Sequence, residues 1–111
     1  MRMIFVSTEF EGFHKYLNAP EEVSFLRELH RHIFKVRVDI QVLHDDRELE
    51  FIIFKRYLDS IISDNNMLNH KSCEMICDDL HKIISERYPN RSMIIEVSED
   101  GENGSRCVYD V

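Results

Sequence analysis

Cysteine, proline and glycine are all scarce in this 111-residue chain, at three, two and three residues respectively. Cys73, Cys77 and Cys107 are too few, and odd in number, for a disulfide framework, so the expectation is free thiols in a reducing compartment. With so little proline and glycine, nothing reads as a linker, a repeat or a low-complexity tract, and residues 1–111 are expected to form a single domain. Long apolar runs are missing too: FIIF at residues 51–54, which no other run exceeds, falls far short of the roughly 20 residues that a membrane span requires. The opening MRMIFVSTEF lacks the extended apolar core of a signal peptide. A cytoplasmic protein without a membrane partner is therefore expected. Positive charge is also short, with 14 Lys and Arg against 21 Asp and Glu and a formal net charge of -7. The basic residues are scattered, as in HKIISERYPNR, and form no cluster for binding phosphates, which argues against nucleic acid and for a small ligand or a protein partner.

What the chain does contain is periodic. MRMIFVST reads as a first strand and HRHIFKVRVDIQVLH as a long second one. Along the second, His30, His32, Phe34, Val36, Val38 and Ile40 alternate with Arg31, Lys35, Arg37, Asp39 and Gln41, so one face is core and the other wet. Over residues 50–62 the period changes: Phe51, Phe54, Leu58, Ile61 and Ile62 recur at helical steps. SDNNMLNHK reads as a loop. Ser72 then caps a second helix that turns Ile76, Leu80, Ile83, Ile84 and Cys77 inward, until YPN stops it. MIIEVSE reads as a third strand, GENG as a turn and RCVYDV as a short fourth strand. The order ββααββ predicts an α+β fold, an antiparallel sheet with two helices on one face. Four strands leave open edges that natural proteins cover or pair, which favours a homo-oligomer in which the sheets join into a larger barrel.

Three histidines carry the chemistry. His30 and His32, one residue apart on a strand, project from the same face. His14 follows the first strand in FEGFH, where a hairpin returns His30 and His32 beside it. Three neutral imidazoles with an open fourth position make a catalytic zinc arrangement. The competing reading is that they are half-buried strand histidines satisfied by hydrogen bonds, because an HxH spacing is weak evidence alone. Three histidines would also accept other divalent ions. Cys73 and Cys77, one helical turn apart, read as core packing, His81 as a surface residue, and His44, Asp45, Asp46 and Arg47 of the charged run HDDRELEF as a solvated hairpin tip.

FEGFH, LHRHIFKVRVDI, ELEFIIFK, SCE opening a helix and EVSED near the end occur in this order over roughly residues 5 to 109. Together they resemble the 6-pyruvoyl-tetrahydropterin synthase and 6-carboxy-tetrahydropterin synthase family, whose members have the tunnelling fold. The resemblance implies zinc on His14, His30 and His32, and an oligomeric barrel, six chains being one possible number, with sites between subunits. The family's late glutamate anchors the pterin ring through its guanidine-like edge, and Glu99 matches it, with Asp100 in place of a threonine. A carboxylate suits that edge because its two oxygens accept two parallel donors. Ser72 and Glu74 match a stretch beside the pterin pocket, and Glu50, Phe51, Phe54 and Lys55 match a helix start.

The departures are specific. The family's catalytic cysteine position is Leu26 here, and Glu28 is the nearest substitute for the base, expected on the same strand face as His30 and His32. Its competing reading is a solvated charge in the run LRE. The family's Asp-His pair becomes Asp64 and Asn65, ahead of Leu68 and Asn69, and asparagine cannot relay a proton near neutral pH, which leaves His70 or His44 to fill in. Arg31 replaces the glycine of HGH. The resemblance thus implies a zinc-dependent carbon–oxygen lyase acting on 7,8-dihydroneopterin triphosphate or a related pterin, with Glu28 and Asp64 as catalytic residues and Glu99, Ser72 and Glu74 holding substrate. The alternative is an inactive metal-containing protein that binds a pterin or purine-like ring.

Overall fold

The computed structural model describes residues 1–64 and 71–111. Strand β1 (Met3–His14) pairs antiparallel with β2 (His30–Gln41), from Met3 opposite Gln41 to His14 opposite His30. Helices α1 (Phe51–Asp64) and α2 (Cys73–Arg87) follow, and then strands β3 (Met93–Glu99) and β4 (Asn103–Tyr109) complete a four-stranded antiparallel sheet of order β1-β2-β3-β4. The expected α+β class and element order hold. Membrane-spanning helices are a different matter of length: among the described residues, no helix is long and apolar enough to cross a membrane.

The core follows from the two periodicities. Phe34, Val36, Val38 and Ile40 of β2 share a face with Met93, Ile95 and Val97 of β3, because Val36 sits opposite Val97, Val38 opposite Ile95 and Ile40 opposite Met93. Phe54, Leu58 and Ile61 of α1 and Ile76, Cys77, Leu80 and Ile84 of α2 close over that face, so both helices lie on one side of the sheet. Phe51 departs from the expected stripe. It is exposed, because the packed side of α1 runs through Phe54, Leu58 and Ile61. Glu50 caps this helix instead, its carboxylate accepting the Ile53 N–H at 2.8 Å. Ser72 is the N-cap of α2 as expected, its hydroxyl accepting from the Met75 N–H at 3.2 Å.

Three boundaries differ from expectation in ways that shape the site. β1 runs six residues beyond MRMIFVST, so His14 is its last residue rather than part of the following loop. The segment between β1 and β2 contains a 3-10 helix, η1 (Glu21–Arg27), and Glu28 caps its end; Glu28 is therefore not a strand residue. The third difference is the β3–β4 turn, which spans residues 99–102 rather than GENG, so that β4 starts at Asn103. Asp100 and Gly101 both take positive φ, 58° and 74°, and the Glu102 N–H bonds the Glu99 carbonyl at 3.1 Å. Gly104 lies so close to β3 that a Cβ there would sit 2.2 Å from the Val97 carbonyl oxygen. The longer β4 brings Tyr109 over α2, where it stacks on His81 at 3.9 Å, so His81 is half-buried rather than a surface residue.

Candidate metal centre

β1 and β2 outrun β3 at one end of the sheet, because β3 pairs with β2 only from Phe34 onward. On that overhang, the core-facing positions next to Phe34 are His32 and His30, and His14 stands across the hairpin from His30. The rings pack edge to face, with centroids 4.5 Å apart for His14 and His30, 5.3 Å for His14 and His32, and 5.0 Å for His30 and His32. Each offers a nitrogen within 4.8 Å of the other two, and the cluster is placed to hold a metal ion. Phe34, fully buried, forms the floor.

The other ring nitrogens are already engaged. His14 Nδ1 donates to the Lys71 carbonyl at 3.3 Å, His30 Nδ1 to the Glu28 carbonyl at 2.8 Å, and His32 Nδ1 to Asp100 Oδ2 at 2.8 Å. Carbonyl and carboxylate oxygens only accept, so each Nδ1 carries a proton, and in the neutral ring each Nε2 then presents a lone pair. Outer hydrogen bonds of this kind fix tautomer and ring direction around a bound metal. Burial also holds the His14 imidazole below its usual pKa, which keeps it neutral and able to bind a cation. Nε2 of His14 and of His32 are buried and make no hydrogen bond among the described residues. Such orphaned acceptors are uncommon, and a cation would satisfy both.

Asp100 is held as firmly as the ring it supports. Its Oδ1 accepts the Ile33 N–H at 2.9 Å, which with the His32 bond keeps its carboxyl below the usual range, and its own N–H bonds the Ile33 carbonyl at 2.7 Å. Glu99 lies on the other side of the cluster, Oε1 3.2 Å from His14 Nε2 and Oε2 3.2 Å from His32 Nε2.

A cavity of about 710 Å³ opens from the cluster, and His14, His30 and Glu99 stand on its wall. Ser72 and Glu74, expected at a substrate pocket, line it with Cys73 and Met75 at the start of α2. Tyr16, Leu17 and Leu26 supply an apolar side. Cys73 was expected only as core; it is buried and also faces this cavity, where burial pushes its thiol up to about 11, so it is no thiolate at neutral pH. Two expected catalytic residues stand apart. Glu28 touches the site through its backbone carbonyl, and Asp64 is the exposed last residue of α1; neither lines the cavity. The positions expected to act with Asp64, namely Asn65, Leu68, Asn69 and His70, lie outside the described residues.

The bonding roles of Asp100 and of the Lys71 carbonyl were not legible in the sequence. The Asp-Gly pair at 100–101 was the one available signal, since it marks the tight turn that carries Asp100 back to β2. Against known proteins, neither a family profile nor a curated protein matches this chain, so its likeness to any family rests on the residues themselves.

Proposed function

We propose that this chain is a zinc-dependent lyase of the 6-pyruvoyl- and 6-carboxy-tetrahydropterin synthase type. In this reading it has the tunnelling fold, acts in the cytoplasm on 7,8-dihydroneopterin triphosphate or a related pterin, and assembles as a homo-oligomer whose sheets join into a barrel. The observation that carries the reading is the cluster of His14, His30 and His32, with one ring nitrogen of each within 4.8 Å of the others, of which His14 and His30 stand with Glu99 on the wall of a cavity of about 710 Å³. That volume lies within the common range for small-molecule sites, about 300–1,000 Å³. Glu99 accepts the parallel N–H donors of the ring's guanidine-like edge. Ser72 and Glu74 line the ring's path, and Tyr16, Leu17 and Leu26 give it an apolar side. Zinc, when bound, polarises the substrate's side-chain oxygens. In this reading Glu28 is the base, since Leu26 has no basic group and the Cys73 thiol stays protonated; its carboxylate does not line the cavity and has to turn toward it, and Asp64, at the exposed end of α1, has among the described residues no contact with the cavity through which to assist.

Incubating the zinc-loaded protein with 7,8-dihydroneopterin triphosphate, with mass spectrometry of ligand and products, tests this. Loss of triphosphate with appearance of a new pterin is the expected result, and its mass identifies the bond broken. Turnover unchanged in Glu28→Gln would remove Glu28 from the scheme. A second reading is favoured by Leu26, an apolar side chain on the cavity wall where the family has its cysteine: a metal-containing protein that binds a pterin or purine-like ring without converting it. Recovery of the unchanged ligand bound to the protein is its signature.

A further inference from the structure

The contact between Glu99 and the histidines is unusual for the partners involved. Each Nδ1 donates its proton outward, so in the neutral rings His14 Nε2 and His32 Nε2 are acceptors, and the Glu99 oxygens that face them at 3.2 Å are acceptors as well. Neither nitrogen makes a hydrogen bond among the described residues. Lone pairs brought together in a half-buried place repel one another unless a proton or a metal cation lies between them, and a cobalt(II) titration separates the two. The spacing agrees with that arrangement: in a tetrahedral site with metal–ligand distances of about 2.0–2.1 Å, neighbouring ligand atoms stand about 3.3–3.4 Å apart.

The geometry points to Glu99 as the fourth ligand of a metal held by His14, His30 and His32, a three-histidine, one-carboxylate centre. The inference rests on the metal reading given above and extends it. Three features hold the carboxylate in place. Glu99 is the last residue of β3 and lies opposite Phe34, the floor of the cluster. The turn that follows it is tied to β2 by the Asp100 N–H to the Ile33 carbonyl. Asp100 then reaches the far nitrogen of His32, so adjacent carboxylates grip the two nitrogens of one imidazole, one from the metal side and one from behind. In the ligand-free protein the metal is therefore coordinatively closed. A ring that draws the Glu99 carboxylate to itself opens the position at which substrate oxygens bind, so ring capture and metal activation are coupled through one side chain.

Cobalt(II) reports this without reliance on turnover. Titrated into the metal-free protein, one equivalent is expected to give the intense visible absorption of a four-coordinate ion. Glu99→Gln is expected to weaken cobalt binding at least about tenfold and to change the band shape, Glu99→Asp to restore part of both, and Glu102→Gln, in the exposed turn, to change neither. Added azide, which takes an open coordination position, is expected to shift the spectrum of Glu99→Gln and to leave that of the unmodified protein unchanged. If the unmodified protein takes up no cobalt, the metal reading fails together with this inference. If it takes up one equivalent but azide shifts its spectrum at once, or Glu99→Gln matches it in affinity and spectrum, the metal reading stands and Glu99 is not a ligand. The azide comparison on the unmodified protein decides the matter even if the variants fold poorly.

Discussion

His32 uses its two nitrogens for opposite ends: Nδ1 is tied to Asp100 and Nε2 is turned into the cluster. Asp100→Asn keeps a residue tolerant of positive φ in the turn, but its amide has one acceptor for two N–H groups, those of Ile33 and His32. We expect metal affinity to fall about 10–100-fold, read by competition with a chelator, while the far-ultraviolet circular dichroism stays native. An unchanged affinity would mean that His32 is oriented by packing on Phe34 alone. Away from the site, His44, Asp45, Asp46 and Arg47 are exposed as expected of a solvated tip, while Glu48, which follows them, makes two bonds to Arg91, at 2.6 and 2.9 Å, and accepts the Leu43 N–H. These bonds pull its carboxyl from 4.5 down to about 2, with the Arg91 hydrogen bond the largest cause. A carboxyl lowered by folding stabilises the fold fully above its unfolded value and loses that contribution as pH falls toward the folded one. Glu48→Gln should therefore destabilise the protein by about 1–3 kcal/mol at neutral pH, with the difference from the unmodified protein shrinking between pH 4.5 and about 2 in urea unfolding curves.

Among the elements, the β1–β2 hairpin places the site and the β3–β4 hairpin completes it. The inward face of β2 was legible down to individual residues, because alternation over FKVRVDI, residues 34–40, admits only one buried set. The outward limits were not: β1 reaches His14 because pairing with β2 continues through polar residues such as Glu9 and Glu11 that carry no hydrophobic signal. Likewise β4 begins at Asn103 and Gly104, which look like turn residues but pair with Glu99 and Ser98. Gly104 is required there by the approach of the β3 backbone. Gly104→Ala is predicted to cost about 1–3 kcal/mol or more through displacement of β4, seen as a lower urea midpoint. A stability equal to the unmodified protein would show that the β3–β4 spacing relaxes freely.

For the molecule as a whole, β1 and β4 stand at the two ends of the sheet order, each with one edge that no described strand covers. Phe5 on β1 and Val108 on β4 are also exposed. Strand edges of this kind seek partners, and the proposed barrel pairs them between copies. Light scattering is expected to give a mass that is a multiple of the 13.3 kDa chain, and a monomer at micromolar concentration would sink the barrel. The class, the order of strands and α-helices and the shared face of His30 and His32 were all in the sequence, because alternation and helical spacing are local properties that burial enforces. Other features came from contacts between residues far apart in the chain: the Asp100–His32 bond, the Glu99 oxygens against two imidazoles, and Cys73 and Leu26 on one cavity wall. No local pattern encodes such contacts. They arise where the β3–β4 turn and the start of α2 close over the end of the β1–β2 hairpin, and strand registry and helix packing alone set that meeting point.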